Sequence, residues 1–389
     1  MTHRERILAA CRGEVPDRVP WIPRMDLWYN AHAAGTLPAA FQGATLREIT
    51  DALGVGYHAV VPDFLNVRSA DDMIDRLLGI YRLATMPFET RLREVERETV
   101  AEHGMTRVTY RTPAGAVTGV FGYTDEMRAA GVSIPWVREG LIKSPQDLTV
   151  LAHIYSHLEV VPAPAQYESW KEWVGEAGVA VAFGSAAASP MHHIMHELMG
   201  VAEFYLALHD RPREMAALAE SMEEWYGAIF DSLLSTSAET VFMGGNYDET
   251  LTPPPFFEAH ILPWLSRWAG QAHSAGKLLL THTDGENRGL IDLYRRAGFD
   301  IADSVCPSPM TKMALREFAA ALPDVTAWGG IPSVALCAES MGAHEFERLV
   351  DDAIDFARGR PHIVLGVADT LPPGADFERL IEITRRVNG

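Results

Sequence analysis

From about residue 179 onward, short apolar runs alternate with helical stretches, and this rhythm restricts the fold more than any other feature of the chain. The runs are 179–183, 240–243, 277–281, 300–305, 325–328 and 362–367, and an earlier run at 57–62 fits a first strand. Helical patterns lie between them at 212–233, 255–275, 287–297 and 343–357. Strand, helix, strand, helix predicts a parallel sheet with helices on its faces. Roughly seven or eight such units favour closure into a (β/α)8 TIM barrel over an open sheet. No GxGxxG follows a strand and opens a helix, so a dinucleotide-binding fold has no support.

The first third reads differently. Ile7, Leu8 and Cys11 have helical spacing over 4–12, and Gly13 stops the helix. Pro16, Pro20 and Pro23 then impose an extended segment, so 1–56 is expected to be an N-terminal arm on a single barrel domain spanning 1–389. Within 88–123, alternating stretches flank a turn at Pro113-Ala114-Gly115, which predicts a β-hairpin excursion across one end of the body.

Composition excludes several classes. A formal net charge of -19 repels phosphate backbones and anionic lipid, which argues against nucleic-acid or membrane partners. No window approaches the ~18 continuous apolar residues of a membrane span, and the charged N-terminus lacks a signal peptide's apolar run. Cys11, Cys306 and Cys337 are far apart with no CxxC pair, as expected of a cytoplasmic protein without a disulfide framework.

In a barrel of this kind the chemistry sits at the C-terminal ends of the strands. His282 and Asp284 end one run and point to the same side, Cys306 ends the next, and Asp369 ends the last. Imidazole, thiolate and carboxylate are a credible set for Zn2+ with one position open. Asp248 and Glu249, one strand earlier, can ligate, orient a ligand, or act as acid and base. Each residue alone also fits a plain role as a hydrogen-bonded or packed scaffold residue. His192 and His196, with His193 between them, suit either substrate contact or packing. Arg24 can bind an anionic group. Trp21, Trp28, Tyr29, Tyr123 and Tyr247 can line an apolar pocket.

The order of motifs resembles the uroporphyrinogen decarboxylase superfamily. The resemblance is carried by Arg12-Gly13-Glu14 with Pro16-Asp17-Arg18-Val19-Pro20-Trp21, and by Phe183-Gly184-Ser185-Ala186 through Met199-Gly200. It continues in Thr252-Pro253 with Phe256 and Pro263-Trp264, His282-Thr283-Asp284-Gly285, and Leu371-Pro372-Pro373 after Gly366. It covers essentially the whole chain. True decarboxylases of that family carry an arginine-rich run for porphyrinogen carboxylates. Here the matching stretch, Pro23-Arg24-Met25-Asp26-Leu27-Trp28, keeps only Arg24 and adds Asp26.

Arg111-Thr112-Pro113-Ala114-Gly115 resembles an insertion of the corrinoid-dependent methyltransferase branch, whose members hold zinc with His-x-Cys and two later ligands. That resemblance implies a metal at His282, Asp284, Cys306 and Asp369, with carboxylates where thiolates are usual. Such a cation suits O-demethylase chemistry: methyl transfer from a small methoxylated aromatic donor to a corrinoid (cobalamin) carried on a separate corrinoid-binding protein. Catalytic roles then fall to His282 with Asp248 or Glu249, and substrate contact to Trp21, Arg24, Tyr123, His192 and Tyr247. The resemblance leaves room for a homodimer. The competing expectations are a metal-independent decarboxylase of a smaller acid, using Arg24 and Asp248, and a catalytically silent binding barrel.

Overall fold

The computed structural model describes residues 1–60, 70–132 and 134–389. Six strands carry its centre: β7 (Ala182–Ser185), β8 (Thr240–Met243), β9 (Leu278–His282), β10 (Ile301–Val305), β11 (Thr326–Pro332) and β12 (Ile363–Ala368). They form one parallel sheet in the order β12-β11-β10-β9-β8-β7, close to the expected runs. The strands are buried on both faces, which is why they read as continuous apolar runs without alternation.

The helices between them show why the sequence folds this way. In Leu262–Ser274, Leu265, Trp268, Ala269 and Ala272 recur at helical spacing, are buried, and pack on β8 and β9. Full burial of a leucine side chain contributes about 1.5–3 kcal/mol. In Ala343–Ala357, Phe346, Val350, Ala353, Ile354 and Ala357 do the same against β11 and β12. The helix expected over 255–275 contains a widened turn at Phe257–Ile261. Pro263 lies just beyond it and lacks the N–H that a regular turn needs. The helix expected over 212–233 is two helices, Pro212–Ser221 and Glu223–Leu234.

The N-terminal region departs from expectation. Helix His3–Cys11 forms, capped by Thr2 and Glu5 in a reciprocal box. The proline-rich segment after it does not lie over the body as an arm. It runs beside β12: Trp21 pairs in parallel with Leu365, Ile22 N–H donates to Leu365 O (2.8 Å), and Leu365 N–H donates to Pro20 O (2.9 Å). On its other side, Gly56 N–H donates to Trp21 O (3.0 Å). Farther along, Tyr57 N–H donates to Ala177 O (2.8 Å) and Val181 N–H to Ala59 O (3.0 Å), next to the start of β7. The fixed φ of proline favours such an extended course, and its missing donor is tolerated where few ladder bonds are required. Val61 and Pro62, the end of the expected first strand, lie outside the described residues.

The expected hairpin over 88–123 is a larger structure. β1 (Phe88–Leu92) pairs antiparallel with β6 (Leu158–Pro162). β2 (Glu96–Glu102), β3 (Met105–Thr112), β4 (Gly115–Gly122) and β5 (Trp136–Glu139) form a separate antiparallel sheet in that order. The expected hairpin is β3 and β4, paired antiparallel across the turn; the outer strands β2 and β5 are largely exposed and carry little apolar signal. Among the described residues no helix is long and apolar enough to cross a membrane.

Gly244, just after β8, has φ 83°. A Cβ there would lie 2.1 Å from the Tyr247 hydroxyl and 2.6 Å from Ala188 Cβ. The Tyr247 hydroxyl is itself bonded to Thr281 Oγ1 at 2.8 Å, so it has little freedom to move. Gly244→Ala is therefore expected to lower the unfolding free energy by ~2–4 kcal/mol. Denaturant titration checks this, and an unchanged midpoint would show that the turn can shift.

Candidate active site

The parallel register sets His282 of β9 beside Asp303 of β10, and Asp303 beside Trp328 of β11. A carboxylate buried among apolar strands is costly unless it is paired. Asp303 is paired twice: His282 Nδ1–H donates to Oδ2 at 2.6 Å, and His58 Nε2 lies 3.6 Å from Oδ1. Sequence reasoning missed Asp303 and His58. The available signal was an acidic residue between the apolar residues of the strand Ile301–Val305, ahead of its polar end.

With Nδ1 so engaged, the other nitrogen of His282 faces the mouth. Nε2 lies 3.3 Å from Asp369 Oδ1 and 3.9 Å from Asp284 Oδ2. Burial opposes a charge on this imidazole, but hydrogen bonds to Asp303 and Asp369 overcome it and hold the imidazolium well above its ordinary range. Asp369 is likewise held below the usual carboxylate range against burial, by Arg24 first and then His282. Asp284 is raised, by burial and then by Asp369, with His282 opposing.

Ser304 completes the mouth. The ladder between β10 and β11 slips between Asp303 and Val305, and Ser304 takes φ 60°. This extra residue turns the strand end, as bulges do next to many sites. Ser304 Oγ–H then reaches Asp369 Oδ1 at 3.3 Å and lies 4.0 Å from Cys306 Sγ. Burial first, then Asp284 and Asp369, push the Cys306 thiol up.

Arg24 belongs to this cluster, but its guanidinium is already engaged. It donates to both oxygens of Asp26 (3.0 Å each) and to Asp369 (2.8 Å). Asp26 also accepts from Thr370 Oγ1 at 3.0 Å. The expected anion-binding arginine is thus a positioning residue for Asp369, and Asp369 is held by Arg24, His282 and Ser304 at once.

Several expected site residues lie elsewhere. Asp248 accepts backbone N–H bonds from Thr250 (2.7 Å), Leu251 (3.3 Å) and Glu286 (2.9 Å), which lower its pKa against burial. Glu249 accepts from Gly289 N–H (2.7 Å) and pairs with Lys312 (3.2 Å). Both carboxylates are engaged in holding their loop. Trp21 is core: its Nε1–H donates to Thr384 Oγ1 at 2.9 Å. Tyr247 is also fully buried. Trp28 stacks on Phe377, with ring centroids 4.7 Å apart. Their apolar surface serves packing, not a pocket.

A large cleft has a volume of about 740 Å³ and walls that include Met127, Ile134, Trp136, Arg138, His196 and Glu197. Tyr123 stands behind it, its hydroxyl donating to Val132 O at 2.6 Å. His196 occupies a widened helical turn, Ile194–Leu198, of a kind often found at functional sites. Its Nδ1–H donates to Glu197 (2.9 Å), and Asn246 Nδ2 lies 2.8 Å from its Nε2. Burial opposes its charge, yet Glu197 raises its pKa, and its field lowers that of Asp284. Of the three histidines, His196 faces the cleft. His192 is buried, accepts the Ala188 N–H at Nδ1 (3.2 Å), and is kept neutral by burial and then by His196.

The chemistry of His282, Asp284, Cys306 and Asp369 bears on whether they can hold a metal. His282 Nε2 is presented by an outer carboxylate, the arrangement that commonly orients a metal-binding imidazole. Asp284 and Cys306, both destabilised as anions, would gain from a nearby cation. In chemistry His282, Asp284 and Cys306 suit a divalent cation; Asp369 lies nearer to His282 Nε2 (3.3 Å) than Asp284 does (3.9 Å) but is shared with Arg24 (2.8 Å). They are not closed on one point. Among the described residues, the three groups whose ligand atoms all lie within 4.8 Å of one another are Glu94, His153 and His157, outside the mouth.

No protein-family model matches the chain, and no curated protein matches its sequence. Among solved structures, the chain is similar to a methyltransferase from Methanosarcina mazei at 14% sequence identity and a TM-score of 0.49, over 100% of this chain and 98% of that one.

His193 yields a pH prediction. It is buried, its Nε2–H donates to Leu78 O (3.0 Å), and Tyr226 OH lies 3.0 Å from Nδ1. Burial holds its pKa down at about 4, against about 6.5 in the unfolded chain. Below pH ~6.5 the unfolded chain takes up a proton that the folded chain refuses. Stability is therefore lost as pH falls from ~6.5 toward ~4, by about 2 kcal/mol at pH ~5. Urea titrations at several pH values should show this slope reduced in His193→Gln. An identical slope in both proteins would assign it to other groups.

Proposed function

We propose that this chain is a metal-assisted methyltransferase, moving a methyl group from a small methoxylated aromatic donor to a corrinoid on a separate protein. The observation that carries the reading is His282, fixed through Nδ1 by buried Asp303 so that Nε2 faces Asp284 and Asp369. The motif order resembling the uroporphyrinogen decarboxylase superfamily and its O-demethylase branch supports it from the sequence side. The fold proposed with it is a (β/α)8 barrel. The bonds from β12 through 20–22 and 56–59 toward β7 support closure of the six-stranded sheet.

The chemistry asks the protein to stabilise an oxygen that gains an electron pair as its bond to methyl breaks. A divalent cation such as Zn2+, held by His282 Nε2, Asp284 and Cys306, would supply Lewis acidity toward that oxygen. A corrinoid on its own protein would supply the two-electron nucleophile. The remaining work belongs to the chain. Asp303 fixes the His282 tautomer and ring plane, and Arg24 holds Asp369 in place beside Nε2. Without a cation, the same Nε2 carries a proton toward Asp369, a second means of meeting charge on a leaving oxygen. The cleft has the size of a small-molecule site, and Trp136 with Ile134 offers apolar surface for an aromatic ring.

The decarboxylase alternative needs a free cation for a substrate carboxylate. Arg24, its chosen residue, is neutralised by Asp26 and Asp369. The geometry therefore favours methyl transfer.

The test is incubation with a reduced corrinoid protein and a panel of methoxyarenes, following the corrinoid absorbance. Methyl transfer is expected with at least one donor. His282→Ala should lower kcat by about 1,000-fold or more, and Asp303→Asn by ~10–100-fold. No spectral change with any donor, together with chelator-resistant release of CO2 from an acid substrate, would replace this reading with the decarboxylase.

A further inference from the structure

We infer that Glu94, His153 and His157 form a second divalent-cation site, separate from the mouth and suited to Zn2+. His153 and His157 stand four residues apart at the end of helix Pro145–Ser156, with rings stacked at 4.0 Å between centroids and 24° between planes. Residues at this spacing share one face of a helix, so both imidazoles point the same way.

The individual nitrogens favour a ligand. His157 Nδ1–H donates to the His153 carbonyl at 2.7 Å, one of the carbonyls left open at a helix C-terminus. That bond fixes the tautomer and leaves the lone pair of Nε2 free, 3.5 Å from Glu94 Oε2. Across the stack, His153 Nε2 is buried and meets no hydrogen-bond partner. A buried polar atom without a partner costs about 1–3 kcal/mol, and it needs an explanation. An ordinary surface His–Glu pair accounts for His157 and leaves that atom unexplained. A cation among the three residues accounts for both.

The surroundings agree. Arg93, the residue before Glu94, is engaged by Glu159 at 2.7 Å. Arg93 N–H donates to His157 O at 3.0 Å, which ties the β1–β2 turn to the helix end. Glu94 has φ 53° in that turn and remains 70% exposed, so solvent can deliver an ion and fill an open position. Two imidazoles and one carboxylate suit Zn2+ above Mg2+ or Ca2+. Such an ion would clip the turn before β2 to a helix some sixty residues later, stabilising the native state by mass action.

The test uses the full chain, stripped with chelator and titrated with Zn2+ alone, as wild type, His157→Ala and Glu94→Gln. The wild type is expected to bind one more equivalent than His157→Ala. Glu94→Gln should weaken that equivalent about 10-fold or more. Zn2+ at a hundred times its Kd should raise the wild-type Tm by about 3 °C, with a smaller rise in either variant. Because the Glu94 side chain is mostly solvent-exposed, Glu94→Gln decides the matter if His157→Ala folds poorly. Equal stoichiometry and affinity in all three proteins would overturn the site, as would no Zn2+ uptake by the wild type. A site lost instead through His282→Ala would assign the metal to the mouth.

Discussion

A carboxylate buried in the middle of a parallel sheet is the constraint around which the mouth of this protein is organised. Asp303 cannot be left unpaired at that depth without a cost of several kcal/mol. The register supplies its first partner, because β9 and β10 place His282 beside it. The second, His58, comes from the chain segment that bonds to Ala177 and Val181 near β7. The buried charge thus needs residues from three separate stretches of chain to arrive together. In return it fixes which nitrogen of His282 looks outward.

From Asp303 the charges continue in alternation. His282 bridges to Asp369, Asp369 to Arg24, and Arg24 to Asp26, each step between 2.6 and 3.3 Å. This row explains the course of the proline-rich segment. Arg24 can reach Asp369 at the end of β12 only if the residues before it run alongside that strand, and Trp21 pairs with Leu365 to bring this about. The path of this segment beside β12 and the assembly of the site depend on each other. A segment swinging free as an arm would leave both Asp369 and His282 with an unmatched neighbour.

The legible part of the structure was the part governed by apolar periodicity. The six central strands and their helices announce themselves because burial on both faces demands unbroken apolar runs. The strand ends were legible too, since His282, Asp284, Cys306 and Asp369 interrupt those runs where polar groups serve no packing purpose. What could not be read was partnership across the sequence. Nothing local says that Arg24 meets a carboxylate 345 residues later, or that Asp248 turns to the amides of its own loop. Trp21 and Tyr247 misled for a related reason. An aromatic side chain fits a pocket or a core equally well, and only the tertiary hydrogen bonds to Thr384 and Thr281 decide between them.

The engagement of Arg24 also sets which charges the mouth can accept. A decarboxylase of acidic substrates needs uncommitted positive charge in the mouth, so that the substrate carboxylate is the missing partner. Here Asp26 and Asp369 fill that role internally. The unmet need is shifted to the other side of His282, where Asp284 and Cys306 face raised costs of ionisation. With its arginine satisfied and Asp284 already costly to ionise, the mouth disfavours another carboxylate.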